Sequence, residues 1–481
     1  MKPCLSEIEK FTLTDNLMAG SSVVDISDCG THSYQEFPME ECDIQGTIEA
    51  RVLLFSADQG RILWTSSDEC TFRQKHSNEI KELVSKETGI TANMILLAAV
   101  HTHSSHGYRS FDPKKFAAHI IDAVSIAENN MRTVKKIVER VGIAPQESII
   151  NRRLYLNKKF GEICIMFNDD CVIDCEKGTL DATGQVVKVF ENLSTDLVKE
   201  GLTDKAFMTD GPVDSRLHLW TIEDTNGDAI ASIARVNAHA VTATQSRIGK
   251  KISSDFVGPM SGIIHSDTGA PCLVFNGAFG NTRPLQEKYC FEECDRIAGL
   301  FAETMLNADP KQSITTSISG VSLPCVGLPL RKDFPHSREE LKKIVEKKET
   351  GKKEAWELKR DNDRKSTAEI LSRPGPPQET GVMLEGELEN GAVNRELQAW
   401  CLGPLKILCL PGEPFVQLCE SIEKKTGFLT VGISNGYMSY LPDPESLLNG
   451  GYEANQCLLD GDTLRNIPEY AKKLCESLKV D

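Results

Sequence analysis

The stretch Ile95 to Tyr108, ILLAAVHTHSSHGY, decides how the rest of the chain is read. Ile95 to Val100 are small or apolar without a polar break. A run this short suits a strand buried on both faces better than a core helix, which needs more residues. The run ends in His101, His103 and His106. Side chains in extended chain repeat every second residue, so His101 and His103 are expected to share a face. In open α/β sheets the ligand crevice lies beyond the carboxyl ends of the strands. Imidazoles at such an edge point to a metal site or a proton-transfer site. The chain has 10 histidines in 481 residues, so three in this short window favour a site over chance.

Working outward, the pattern is that of an α/β protein. Ala19–Ile26 reads as a strand, and Ala50–Ser66 as a hairpin about the turn ADQG. Asn78–Glu87 has helical apolar spacing with Gly89 as its stop. Asp112-Pro113 opens a second helix in cap-then-proline order. Ile137–Ile143 is strand-like and leads to Asn151-Arg152-Arg153, where an arginine beside a site would clamp a carbonyl or anionic oxygen. Arg216–His239 is the clearest hairpin, because Asn-Gly lies between alternating apolar residues. Its second strand ends in His239. A helix is expected over Gly258–Ile264, a buried strand over Cys272–Asn276, and a helix over Tyr289–Leu306. Ser317–Leu328 is strand-like, and Leu397–Leu410 forms a further hairpin that ends at Pro411-Gly412-Glu413. Glu413 is therefore another metal-competent residue at a strand end. A helix over Val416–Lys424 and a strand over Phe428–Ile433 follow. About 154–210 reads as an elaboration on the core, and 331–370 as a densely charged helical pair on its outside. The expected fold is α/β, with a mixed central β-sheet core, outer helices and a metal site at the strand ends. Residues 1–330 and 371–470 are expected to form one catalytic domain, with 331–370 as an insertion.

Composition narrows the partners. The net charge of −16 argues against nucleic acid, whose phosphates need a basic surface. No stretch approaches the roughly 18 apolar residues of a membrane span. The N-terminal MKPCLSEIEK holds no apolar leader-like run, and the 16 cysteines are scattered without a CxxC pair. Both features lead us to expect a cytoplasmic protein with free thiols.

Seven segments together carry a family resemblance: AVHTHS (99–104), INRR (150–153), GPVD (211–214), ISSD (252–255), LPGEPF (410–415), SNGYMSYLP (434–442) and GGYE (450–453). As a set they resemble the catalytic domain of the neutral/alkaline, non-lysosomal ceramidases in its short bacterial form. The resemblance implies a zinc-dependent amidase acting on a small or lipid-like amide, with links to sphingolipid metabolism. It implies His101, His239, Glu413 and Tyr440 as ligands of one Zn2+. It also implies His103, Arg152 and Tyr452 as residues that contact the substrate or the attacking water. Two imidazoles, a carboxylate and a phenolate suit zinc. Two other readings are carried forward, a zinc hydrolase of carboxylic esters and a non-catalytic metal-binding homologue. The chain has Ser105-His106 where the family has Gly-Pro, and Arg283 where lipid-cleaving members have serine. A guanidinium reaching the cleft predicts a substrate with an anionic group.

Overall fold

The computed structural model describes residues 6–164, 211–331 and 392–478, apart from breaks at 108–109, 147 and 158–160 and at 287, with short pieces of 172–188, 343–365 and 388–389. The expected elaboration over about 154–210 and the charged pair over 331–370 lie largely outside the described residues.

Two sheets pack face to face, and helices cover both outer faces. The larger sheet runs Cys272–Asn276, Ala229–Val236, Arg216–Asp224, Arg132–Ile143, Met18–Asp25, Glu49–Ala57, Gly60–Ser67, Ile95–Ala99, and Lys311–Ile314 also joins Arg132–Ile143. The smaller runs Glu9–Leu13, Ile318–Pro329, Ala392–Leu402, Leu405–Cys409, Leu429–Val431. Both mix parallel and antiparallel pairs. The α/β expectation with mixed strands holds, and the core proves to be a double layer. Between the sheets, Trp64 meets Trp400 edge-to-face at 5.6 Å, with Phe55, Phe275 and Phe11 around them. Side chains of this size contribute about 1.5–3 kcal/mol each on burial.

The Ile95–Ala99 strand behaves as its apolar run implies. Leu96 and Ala98 point into the layer between the sheets. Ile95, Leu97 and Ala99 pack outward against the helices Gln74–Thr88 and Pro113–Asn129. Those helices end and begin as read. Gly89 closes the first at φ 71°, and the Asp112 carboxylate caps the second by accepting from the Lys114 and Lys115 amides. Helices Val257–Thr268 and Phe291–Leu306 cover the other half of the larger sheet. Val416–Thr426 and Gly461–Glu476 cover the smaller one.

The larger sheet curls until its two edge strands face each other. The Ser66 hydroxyl donates to the Val274 carbonyl at 2.6 Å, and the Asn276 amide to the Val100 carbonyl at 2.7 Å. Residues 432–435 wedge between these edges. The Gly432 amide donates to Asn276, and the Asn435 amide to Leu97, both at 2.8 Å. This closure brings the loop after Ile95–Ala99 next to the loops after Ala229–Val236 and Cys272–Asn276. Among the described residues, no helix is long and apolar enough to cross a membrane.

Candidate metal centre

His101 lies two residues beyond its strand, in the left-handed region at φ 62°. The extended chain therefore does not persist through the HTH triplet, and strand alternation is not what pairs its histidines. The turn pairs them instead, placing His103 Nε2 at 3.3 Å from His101 Nε2. Such backbone geometry is costly for a residue with a β-carbon and is kept where surrounding contacts fix it. Here the His101 amide donates to the Glu69 carbonyl at 3.0 Å, and its Nδ1–H to the Cys70 carbonyl at 2.7 Å.

His239 is held in the same manner. Its Nδ1–H donates to the Phe279 carbonyl at 2.6 Å. A carbonyl can only accept, so both rings carry a proton on Nδ1, and Nε2 of the neutral ring is left with its lone pair for a cation. Both Nε2 atoms face one oxygen. Glu413 Oε2 lies 3.0 Å from His239 Nε2 and 3.3 Å from His101 Nε2. Glu413 arrives on a two-residue strand, Glu413–Pro414, which pairs in parallel with Tyr440–Leu441. The other carboxylate oxygen, Oε1, accepts the Tyr437 hydroxyl at 2.5 Å.

Three acceptor atoms thus converge in the interior. His239 Nε2 and Glu413 Oε2 are buried without any hydrogen-bond partner. Lone pairs brought together in this way repel unless a cation lies among them. His101, His239 and Glu413 form one candidate metal-holding group, and Cys70, His101 and His103 form an overlapping one. Electrostatics express the same demand. Burial pushes the Glu413 carboxyl up, and His101 and His239 more than offset this, holding it well below the usual carboxylate range. Burial pushes His101 down, and Cys70 and Glu413 more than reverse it. His239 is pulled down to about 4 by burial and by Arg152. His103 is held well below the usual imidazole range by burial, His101 and His239.

Arg152, Tyr440 and Tyr452 form the neighbouring wall. The Arg152 Nη2–H donates to the Tyr440 hydroxyl at 3.0 Å and to the Gly280 carbonyl at 2.9 Å. The Tyr440 ring stacks by His239 at 6.3 Å, and the Tyr452 ring meets Tyr440 at 6.0 Å. All seven residues singled out in the sequence therefore gather in one place. His103, only partly buried, marks its solvent side, with the Tyr34 ring 4.9 Å away.

Other sequence features have structural roles. His106 is saturated, with Nδ1 at 2.6 Å from Glu69 Oε1 and Nε2 at 2.9 Å from the Ser27 carbonyl. Arg283 is fully buried in a strand paired with Ile149–Asn151, and its Nη1–H donates to the Pro284 carbonyl at 3.1 Å. Three participants were not read from sequence. Cys70 supplies the carbonyl that orients His101. Tyr437 holds Glu413. Glu453 accepts from Arg152 Nε and Arg153 Nη1, each at 2.9 Å. The Glu453 partnership had a local signal, since two adjacent arginines require a carboxylate if they are buried. The other two are joined to the site only through long-range pairing.

No family model and no curated protein sequence matches the chain. Solved structures do. Neutral ceramidase from Pseudomonas aeruginosa superposes with a TM-score of 0.62 at 15% identity, over 97% of this chain and 75% of that one. A ceramidase complexed with C2 superposes with a TM-score of 0.60 at 15% identity, over 97% of this chain and 76% of that one. The chain has a neutral ceramidase-like fold.

Proposed function

We propose that the protein is a zinc-dependent hydrolase of linear amides, of the N-acyl type that the ceramidase likeness suggests. The observation that carries this is the convergence of His101 Nε2, His239 Nε2 and Glu413 Oε2, two of these three atoms buried with no hydrogen-bond partner. Two imidazole nitrogens and one carboxylate oxygen are a catalytic-zinc donor set, and they fit the ion. His101, His239 and Glu413 would hold it, with Tyr440 as the fourth ligand. When bound, Zn2+ polarises a carbonyl and lowers the pKa of water to about 7.

The remaining steps belong to the chain's own side chains. His103 stands beside His101 at the open side, and burial with two neighbouring imidazoles keeps it neutral. A neutral imidazole accepts a proton from an attacking water and returns it to the departing amine nitrogen. Arg152 keeps its charge, because burial is outweighed by Tyr440, Glu453 and Glu413 around it. With Tyr452 it forms the positive, donor-bearing wall that would stabilise charge developing on the carbonyl oxygen. Glu453 locks the Arg152 guanidinium so that this wall needs no rearrangement during reaction. We assign the activity to the unit formed by 1–330 with 371–470, and the substrate to a small or lipid-like amide.

A hydrolysis panel tests this reading. Short N-acyl amino acids, N-acyl sphingoid analogues and matched carboxylic esters are offered to the wild type and to His103→Ala. Amide cleavage that His103→Ala suppresses supports it. Cleavage of esters alone, or of nothing, overturns it.

A further inference from the structure

We propose that Tyr437 is a positioning residue that restricts Glu413 to one ligating oxygen, an inference that rests on the metal-hydrolase reading above. The two oxygens of Glu413 have different surroundings. Oε1 accepts the Tyr437 hydroxyl at 2.5 Å. Oε2 alone faces the imidazole nitrogens, at 3.0 and 3.3 Å, and has no hydrogen bond of its own. A carboxylate free at both oxygens can swing into two-oxygen coordination. A short hydrogen bond from a neutral phenol to an ionised oxygen is among the strong ones, and it opposes that swing.

Tyr437 is set in place by more than this bond. The Glu413 amide donates to the Ser439 carbonyl at 3.0 Å, and the Ile433 amide to the Gly412 carbonyl at 3.0 Å. The loop from 433 to 439 is thereby zipped along the segment that carries Glu413. Arg395 Nη2–H donates to the Tyr437 carbonyl at 3.1 Å, and the phenol ring tilts beside His101 at 6.1 Å. The two tyrosines of Tyr437-Met438-Ser439-Tyr440 therefore have separate roles. Tyr440 gives its hydroxyl oxygen to Arg152, and Tyr437 gives its proton to Glu413. Holding Glu413 to one oxygen keeps its second oxygen out of a coordination position that a catalytic zinc site leaves to water or substrate.

The test loads wild type and Tyr437→Phe with Co2+ in place of zinc and records the visible spectrum. Co2+ absorbs strongly when four-coordinate and weakly as coordination rises. We expect the wild type to show the stronger spectrum and Tyr437→Phe a clearly weaker one while still binding one ion. Equal spectra overturn the role of Tyr437 and leave the metal reading intact. A wild type that takes up no Co2+ overturns both. A measurement on the zinc-loaded wild type needs no variant. X-ray absorption showing a one-oxygen carboxylate supports the proposal, and the short metal–carbon distance of a two-oxygen carboxylate overturns it.

Discussion

Two buried histidine–glutamate contacts lie a few residues apart in this protein, and they differ in one respect. In the first, His106 spends both ring nitrogens on the protein, one on Glu69 and one on the Ser27 carbonyl. In the second, His101 and His239 each spend Nδ1 on a backbone carbonyl and aim Nε2 at Glu413 Oε2. The first is complete. The second presents ring nitrogens and a carboxylate oxygen that a cation would satisfy. Burial and residue type are the same in both, so neither distinguishes a structural histidine from a functional one. The use of the second nitrogen does.

Removing the open contact has the largest expected effect. Glu413→Gln is expected to abolish bound metal and to reduce amide hydrolysis to background, while far-ultraviolet circular dichroism stays native. Retained stoichiometric metal would place the ligands elsewhere.

His103 sharpens the contrast further. Its Nε2 touches His101, and it is only partly buried. His103→Ala is expected to keep the metal and to lower turnover by about 10²–10⁴-fold, the range for loss of a general acid–base group. Loss of metal together with activity would make His103 a ligand through the Cys70 group.

At the closed contact the expected effect changes kind. His106→Phe should leave metal content and kcat unaltered and destabilise the fold by on the order of 3 kcal/mol, because Glu69 is left buried and unpaired. Urea unfolding of the metal-free protein measures this. A drop in kcat at full folding would give His106 a part in catalysis.

His218 belongs to neither contact. It stacks on Trp220 at 5.1 Å, and neither ring nitrogen has a hydrogen-bond partner. Burial, then Arg235 and Arg216, lower its pKa from 6.5 to about 3. The folded state therefore resists a proton that the unfolded chain accepts. Its contribution is complete above pH 6.5 and is lost as pH falls toward 3, at up to about 1.4 kcal/mol per pH unit. His218→Phe should flatten that part of the stability–pH curve, read from urea midpoints. An unchanged slope would assign the acid sensitivity to other groups.

What was legible in the sequence follows from the range of each interaction. Asp112-Pro113, Gly89 and the Asn226-Gly227 turn act over a few residues, and each marked its element correctly. The alternating outward and inward packing of Ile95–Ala99 was implicit in its unbroken apolar run. The second sheet was not legible, because Glu9–Leu13 pairs with Ile318–Pro329 across more than half the chain. Nor was the curl that brings Ser66 against Val274. His101 and His103 were rightly placed together for a reason that proved wrong, since a left-handed turn replaces the extended chain. Tyr437 was invisible as a partner because only the pairing of Glu413 with Tyr440 brings that loop alongside.

The most direct test of the open contact is metal content measured against activity on one preparation. Purified protein is analysed for zinc, stripped with chelator, assayed on N-acyl amides and reconstituted. About one Zn2+ per chain is expected, lost with amide hydrolysis on stripping and restored with it on addition of zinc. Undiminished amide hydrolysis by the metal-free protein, or failure to bind zinc with His101, His239 and Glu413 intact, would contradict it.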